Sequence, residues 1–215
     1  MPPKVDTSNY VYTIYGMKTQ REIVAELLGS TPLMSSREFS SQGIDTKTLT
    51  RMVDEGEIQR IARGLYTATD YIPGTHHSLI ESCKLIDTSV VCLLSALSFH
   101  EIGTQNPSEV WIAVPRGTRI PRVSEYPIQI SLFSGEAYSS GIEEHTIDGV
   151  VIRMYSIAKT IADCFKYRNR LGMDIAIEAL KDVIRNKRTS FDEILHFARI
   201  CRVEKVMIPY MESLV

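Results

Sequence analysis

Thr46, Lys47, Thr50 and Arg51 lie so that a helix capped by Asp45 and closed by Gly56 gathers them on one side, with Asp54 beside them. Leu49, Met52 and Val53 fall on the opposite side and face inward. This is the division that a DNA recognition helix needs. Lys and Arg reach guanine acceptors or phosphates, and Thr meets phosphates or a thymine methyl group. Arg60 and Arg63 follow in or beside a β-prone hairpin, where a cation can track the backbone or enter the minor groove. Each feature alone also fits a solvated helix face or an ordinary turn arginine. Capped helices, turn, basic face and arginine-tipped hairpin in that order favour DNA. Asp54, Glu55 and Glu57 work against strong binding by a single copy.

Two further basic clusters, Lys166-Tyr-Arg-Asn-Arg170 and Arg185-Asn-Lys-Arg188, end the helices on either side of Gly172. Two readings stand for them: favourable partners of helix C-terminal dipoles, or a second surface for nucleic acid or an acidic protein. The segment Pro115-Arg-Gly-Thr-Arg-Ile-Pro121 reads as a mobile surface loop ahead of an anion site. Glu178 with Lys181, and Asp163 with Lys166, are spaced as surface ion pairs on helices. Nothing in the sequence assembles a catalytic constellation. There is no P-loop, no Gly-x-Gly-x-x-Gly and no Gly-x-Ser-x-Gly. The cysteines at 83, 92, 164 and 201 form no Cys-x-x-Cys and sit among apolar neighbours, and the five histidines show no zinc spacing. No metal, no cofactor and no enzymatic activity are expected; buried thiols in a reducing cytoplasm are.

The elements that must carry these residues are well punctuated. Thr19-Gln-Arg-Glu22 and Ser35-Ser-Arg-Glu38 are capping boxes, and Asp45 is placed to cap a third helix. Met34 and Phe39, then Ile44 and Leu49, stand at staple positions; Gly29, Gly43 and Gly56 provide stops. Two β-prone stretches then flank Ala62-Arg63-Gly64, which completes the order of a winged helix-turn-helix over residues 1–72. Pro73-Gly74 marks a boundary, and residues 75–215 read as an α+β domain. It has helical stretches near 77–86 and 90–102, strands at Val110–Val114 and Ile128–Phe133, and a hairpin over 143–155 turning at Asp148-Gly149. Helices follow at 156–169, 174–186, 190–201 and 204–214. The fold class is therefore α+β, with a small sheet and a helical C-terminal part in the second domain.

Composition sets the outer bounds. The 215 residues are 44% hydrophobic and 23% charged, which suits one large domain or two small ones and excludes a disordered chain. The first nine residues lack the apolar core of a secretory signal and read as a frayed lead-in, and no apolar run is long enough for a membrane span. The net charge of −2 disfavours an indiscriminate nucleic-acid binder. Its distribution is uneven. Residues 1–75 hold 8 cations against 9 anions, residues 76–152 hold 4 against 9, and residues 153–215 hold 12 against 8. An anionic partner would meet the last third or a local patch.

With these residues in view, the chain resembles the AbiEi-type antitoxins of bacterial type IV toxin–antitoxin systems. The resemblance rests on the winged part ending in Arg63-Gly-Leu-Tyr66, and on Leu94-Ser-Ala-Leu-Ser-Phe-His100 with Gln105-Asn-Pro107 and Ile112-Ala-Val-Pro115. Its most specific segment is Arg153-Met-Tyr-Ser-Ile-Ala-Lys159-Thr-Ile-Ala-Asp163-Cys-Phe-Lys166, followed by Gly172. The resemblance implies a cytoplasmic repressor that binds inverted repeats in its own promoter. It also implies a C-terminal domain that counters a nucleotidyltransferase-like toxin in a system linked to phage defence. Carried onto this sequence, DNA contacts fall on Thr46, Lys47, Thr50, Arg51, Arg60 and Arg63. Lys159 and Lys166, with Arg168, Arg170, Arg185, Lys187 and Arg188, are candidates for a partner or second nucleic-acid surface. Lys159 and Asp163 fit equally a role in holding their helix to the sheet. The alternative function is a plain winged-helix regulator whose C-terminal domain senses a ligand or partner.

Overall fold

The computed structural model describes residues 10–11, 18–120 and 127–214. The expected lead-in over 1–9 and Pro121 at the end of the basic loop lie outside them. Two compact units divide the chain. The first runs to Leu85 and includes Thr146–Val150; Ile86 opens the second.

In the first unit, strands β1 (Tyr10–Val11) and β2 (Lys18–Thr19) pair antiparallel and lead into helix α1 (Gln20–Ser30). The capping box at its start is complete: the Thr19 N–H donates to the Glu22 carboxylate at 2.7 Å, and the Glu22 N–H to the Thr19 hydroxyl at 3.3 Å. Strand β3 (Met34–Ser35) and helix α2 (Ser36–Ser41) follow, with the same reciprocal box between Ser35 and Glu38. Helix α3 (Thr46–Asp54) comes next. Gly43 and Gly56, at φ of 80° and 75°, end α2 and α3 in the left-handed conformation. Strands β4 (Ile58–Ala62) and β5 (Leu65–Ala68) form the wing hairpin, and β3 joins it to give a three-stranded sheet in the order β3-β5-β4. Together these elements form a winged helix-turn-helix. Both staple pairs are buried, and the core gathers Ile23, Val24, Phe39, Leu49 and Tyr66; each large side chain contributes about 1.5–3 kcal/mol. Helix α4 (His77–Leu85) belongs to this unit, and its Lys84 pairs with Glu38.

A mixed five-stranded sheet in the order β8-β7-β6-β10-β9 carries the second unit, except that the β9–β10 turn over Thr146–Val150 belongs to the first. Its strands are β6 (Val90–Val91), β7 (Val110–Pro115), β8 (Ile128–Phe133), β9 (Ile142–Ile147) and β10 (Val150–Tyr155). Helix α5 (Leu93–Phe99) follows β6, and the short α6 (Glu136–Ser139) follows β8. Helices α7 (Ile157–Lys166), α8 (Arg168–Leu171), α9 (Met173–Arg185), α10 (Phe191–Ile200) and α11 (Glu204–Glu212) complete the chain. The Asp148-Gly149 hairpin forms as expected, both residues at positive φ. The expectation of helix over 90–102 is corrected at its start. Val90 and Val91 pair antiparallel with Ala113 and Ile112, Val91 also pairs parallel with Met154, and Leu93 at φ 49° turns the chain into α5. The helix expected over 156–169 likewise breaks at Tyr167. Helix α7 is central: Ala158, Ile161, Ala162 and Phe165 are buried among the side chains of α5, α9 and α10. Among the described residues no helix is long and apolar enough to cross a membrane.

Candidate nucleic-acid interface

The turn between α2 and α3 is held from α1. Gln20 is 6% exposed, and its carboxamide oxygen accepts from the Asp45 N–H at 3.1 Å and the Thr48 hydroxyl at 2.7 Å. Its amide nitrogen donates to the Gly43 carbonyl at 3.4 Å. One side chain therefore fixes the start of α3. Asp45 does occupy the N-cap position, but its side chain makes no capping bond, which corrects the role expected of it. Gln20 was missed because its partners lie more than twenty residues downstream.

With Leu49 and Met52 buried, α3 exposes Thr46, Lys47, Thr50 and Arg51. Lys47 and Arg51 stand one turn apart, and among the described residues neither joins an ion pair. Like charges at that spacing cost an isolated helix about 0.2–0.5 kcal/mol, a cost that an anionic partner removes. The Thr50 hydroxyl donates to the Thr46 carbonyl at 3.0 Å, so it meets a partner through its acceptor lone pairs and its methyl group. In the wing, Arg63 and Gly64 make the turn, with Gly64 at φ 76° and Arg63 exposed. A bulge shifts the β4–β5 register between Arg60 and Ala62, and the Arg60 Nε–H donates across it to the Ala62 carbonyl at 3.3 Å. The Arg60 side chain is exposed and keeps its Nη donors for another partner. The acids after α3 are engaged: Arg21 holds Glu55 at 2.5 Å and Glu57 at 2.6 Å.

The candidate surface in the second unit divides on inspection. Lys159 is corrected outright, because it is fully buried. Its ammonium lies 2.5 Å from Asp163 Oδ2, and 4.0 Å and 4.8 Å from the ring centres of Tyr155 and Phe133. Asp163 is also fully buried, so the surface pair expected between Asp163 and Lys166 is corrected too. Burial pushes the Asp163 carboxyl up, and the Lys159 ammonium and the Cys201 thiol, which donates to it at 3.2 Å, oppose that. This pair holds α7 to β8 and β10.

Lys166, Arg170, Arg185, Lys187 and Arg188 are exposed, and Arg168 is half-buried. Several of them have structural partners. Arg168 donates to the Phe165 carbonyl at 2.9 Å and Arg188 to the His100 carbonyl at 3.0 Å. Arg170 stacks 4.5 Å over the Trp111 ring and donates to Gln129 on β8. Lys187, at φ 52°, ends α9: its N–H donates to the Ile184 carbonyl at 3.2 Å, and the Arg188 N–H to Val183 at 2.9 Å. Arg185 lines an open groove along α9 with Asp174, Glu178 and Asp182. In the basic loop, Thr118 bonds back to Pro115 and leaves Arg116 and Arg119 exposed. Among the described residues no three or more His, Cys, Asp or Glu side chains are placed to hold a metal.

No curated protein sequence matches the chain. Among solved structures, the crystal structure of the RV2827C protein from Mycobacterium tuberculosis matches with a TM-score of 0.55 and 10% identity. The match covers 81% of this chain and 69% of that one, and at such identity it is a likeness of fold. Residues 22–69, from the first turn of α1 to just past the end of the wing, match the family described as transcriptional regulator, AbiEi antitoxin.

Proposed function

We propose that this chain is a cytoplasmic antitoxin and autorepressor of the type IV kind, binding inverted repeats in its own promoter through α3 and the wing. In this reading residues 75–215 carry the neutralising function against a nucleotidyltransferase-like toxin. The observation that carries the DNA half is the exposed Lys47–Arg51 pair on α3, opposite buried Leu49 and Met52 and followed by the arginine-tipped wing. Thr46, Thr50, Arg60 and Arg63 extend the same contact set. The family match over residues 22–69 supports the regulator and antitoxin role.

The test is a gel shift with the duplex immediately upstream of the gene. Replacing Lys47 and Arg51 by Ala should each cost about 1–3 kcal/mol where the side chain reaches a base. Binding should also weaken as salt rises, because phosphate contacts release counterions. Unchanged affinity in the double variant would remove this helix from the interface. Co-expression with the neighbouring gene, scored by growth, tests the antitoxin half.

A further inference from the structure

Glu55 follows Arg51 by four residues, the spacing of an intrahelical ion pair. The pair does not form. Glu55 is held instead by Arg21 of α1, whose other Nη atom holds Glu57. The three side chains are 37–45% exposed, and ion pairs so solvated add little to stability. Their position is more telling than their strength. Glu55 caps the C-terminal end of the recognition helix, which already bears the negative end of the helix dipole. Nine residues of helix span about 13 Å, close to the screening length of about 10 Å at moderate salt. An unheld Glu55 would therefore act on the whole DNA-facing surface, and on Arg51 first.

We propose that Arg21 is a positioning residue for DNA binding: by holding Glu55 it keeps Arg51 available to the nucleic acid. The inference rests on the DNA-binding reading above. Arg21 acts on the DNA through another residue, which a cycle of variants can isolate.

The experiment measures full-length protein on the upstream duplex by gel shift, with a thermal melt for each variant. Arg21→Ala should weaken binding about tenfold at low salt, with the loss shrinking as salt rises. Adding Glu55→Gln to Arg21→Ala should recover most of that loss. In the wild-type background Glu55→Gln should change affinity by less than about twofold, because the acid is already held. In an Arg51→Ala background Arg21→Ala should have a smaller effect than in the wild type, because only the freed acid's repulsion of the nucleic acid remains. Equal effects of Glu55→Gln with and without Arg21 would mean simple addition of charge and overturn the proposal. So would wild-type affinity in Arg21→Ala, or failure of Glu55→Gln to rescue it. Should Arg21→Ala fail to fold, Glu55→Gln alone still decides: a several-fold gain overturns the proposal. Failure of the DNA reading itself looks different, since the wild type and the Lys47 and Arg51 variants would then all leave the duplex unshifted.

Discussion

Lys159 shows how far residue type and spacing can be read. Lys159 and Asp163 stand one helical turn apart, so a pair between them was available to a reader of the sequence, but their burial was not. It depends on Phe133 from β8 and Cys201 just after α10, two partners far away in the chain, together with the nearby Tyr155 at the end of β10. A charged side chain therefore looked like surface until the sheet was in place. The exposure of Lys47, Arg51 and Arg63 was legible, because one amphipathic helix and one glycine turn decide it locally. The buried pair makes a testable prediction. Lys159→Met leaves an uncompensated carboxylate in an apolar site and should cost about 3–5 kcal/mol of stability. Replacing both residues, as Lys159→Met with Asp163→Leu, should be far milder, because well-packed apolar groups often substitute for a buried pair at little cost. Denaturant unfolding of the two variants reads the difference. A double variant as unstable as the single one would mean that the pair is needed for reasons other than mutual neutralisation.

At the scale of elements, the helices of the first unit were legible because their signals are local. Two capping boxes, two staple pairs and two left-handed glycines each act within about five residues. The two-residue strands were not legible. Met34–Ser35 is a strand because β5 offers it a free edge, and Val90–Val91 because β7 and β10 flank it. Neither stretch is long enough to show a period of its own. The link from α1 to α3 escaped for the same reason. Gln20 completes the start of α3 in the way that a side-chain cap from Asp45 was expected to. Gln20→Ala strips partners from the Asp45 N–H, the Thr48 hydroxyl and the Gly43 carbonyl, a loss of about 1–3 kcal/mol where such groups are kept from water. The variant should melt earlier and bind the upstream duplex more weakly. Gln20→Glu should fall between, since it can still accept from Asp45 and Thr48 but cannot donate to Gly43. Unchanged binding in Gln20→Ala would show that the start of α3 is fixed by its apolar face alone.

At the scale of the whole molecule, the question is where the winged part ends. Pro73-Gly74 is the natural place to cut on sequence, since composition changes there and the wing is complete. The first compact unit runs further, through α4 to Leu85, and takes in Thr146–Val150. Specific contacts tie these pieces to the winged part. The Tyr71 hydroxyl lies 2.9 Å from His77 Nδ1, and Lys84 on α4 pairs with Glu38 in the capping box of α2. A Cβ added at Gly149 would come within 2.8 Å of the Ser30 carbonyl oxygen, so the hairpin turn sits against the end of α1. None of this appears in sequence pattern, because every residue of α4 is buried or half-buried and their spacing does not say which unit covers them. A fragment of residues 1–72 therefore loses the Lys84 partner of Glu38 and the His77 partner of Tyr71, and a fragment of residues 1–85 keeps them. For a domain this small, about 1 kcal/mol shifts the melting temperature by roughly 4–8 °C. The longer fragment should melt measurably higher and shift the upstream duplex at lower protein concentration. The α3 and wing contacts are common to both, so the difference should lie in the folded fraction and narrow on cooling. Equal melting and equal binding by the two fragments would place α4 outside the folding unit of the winged domain and return the boundary to Pro73-Gly74.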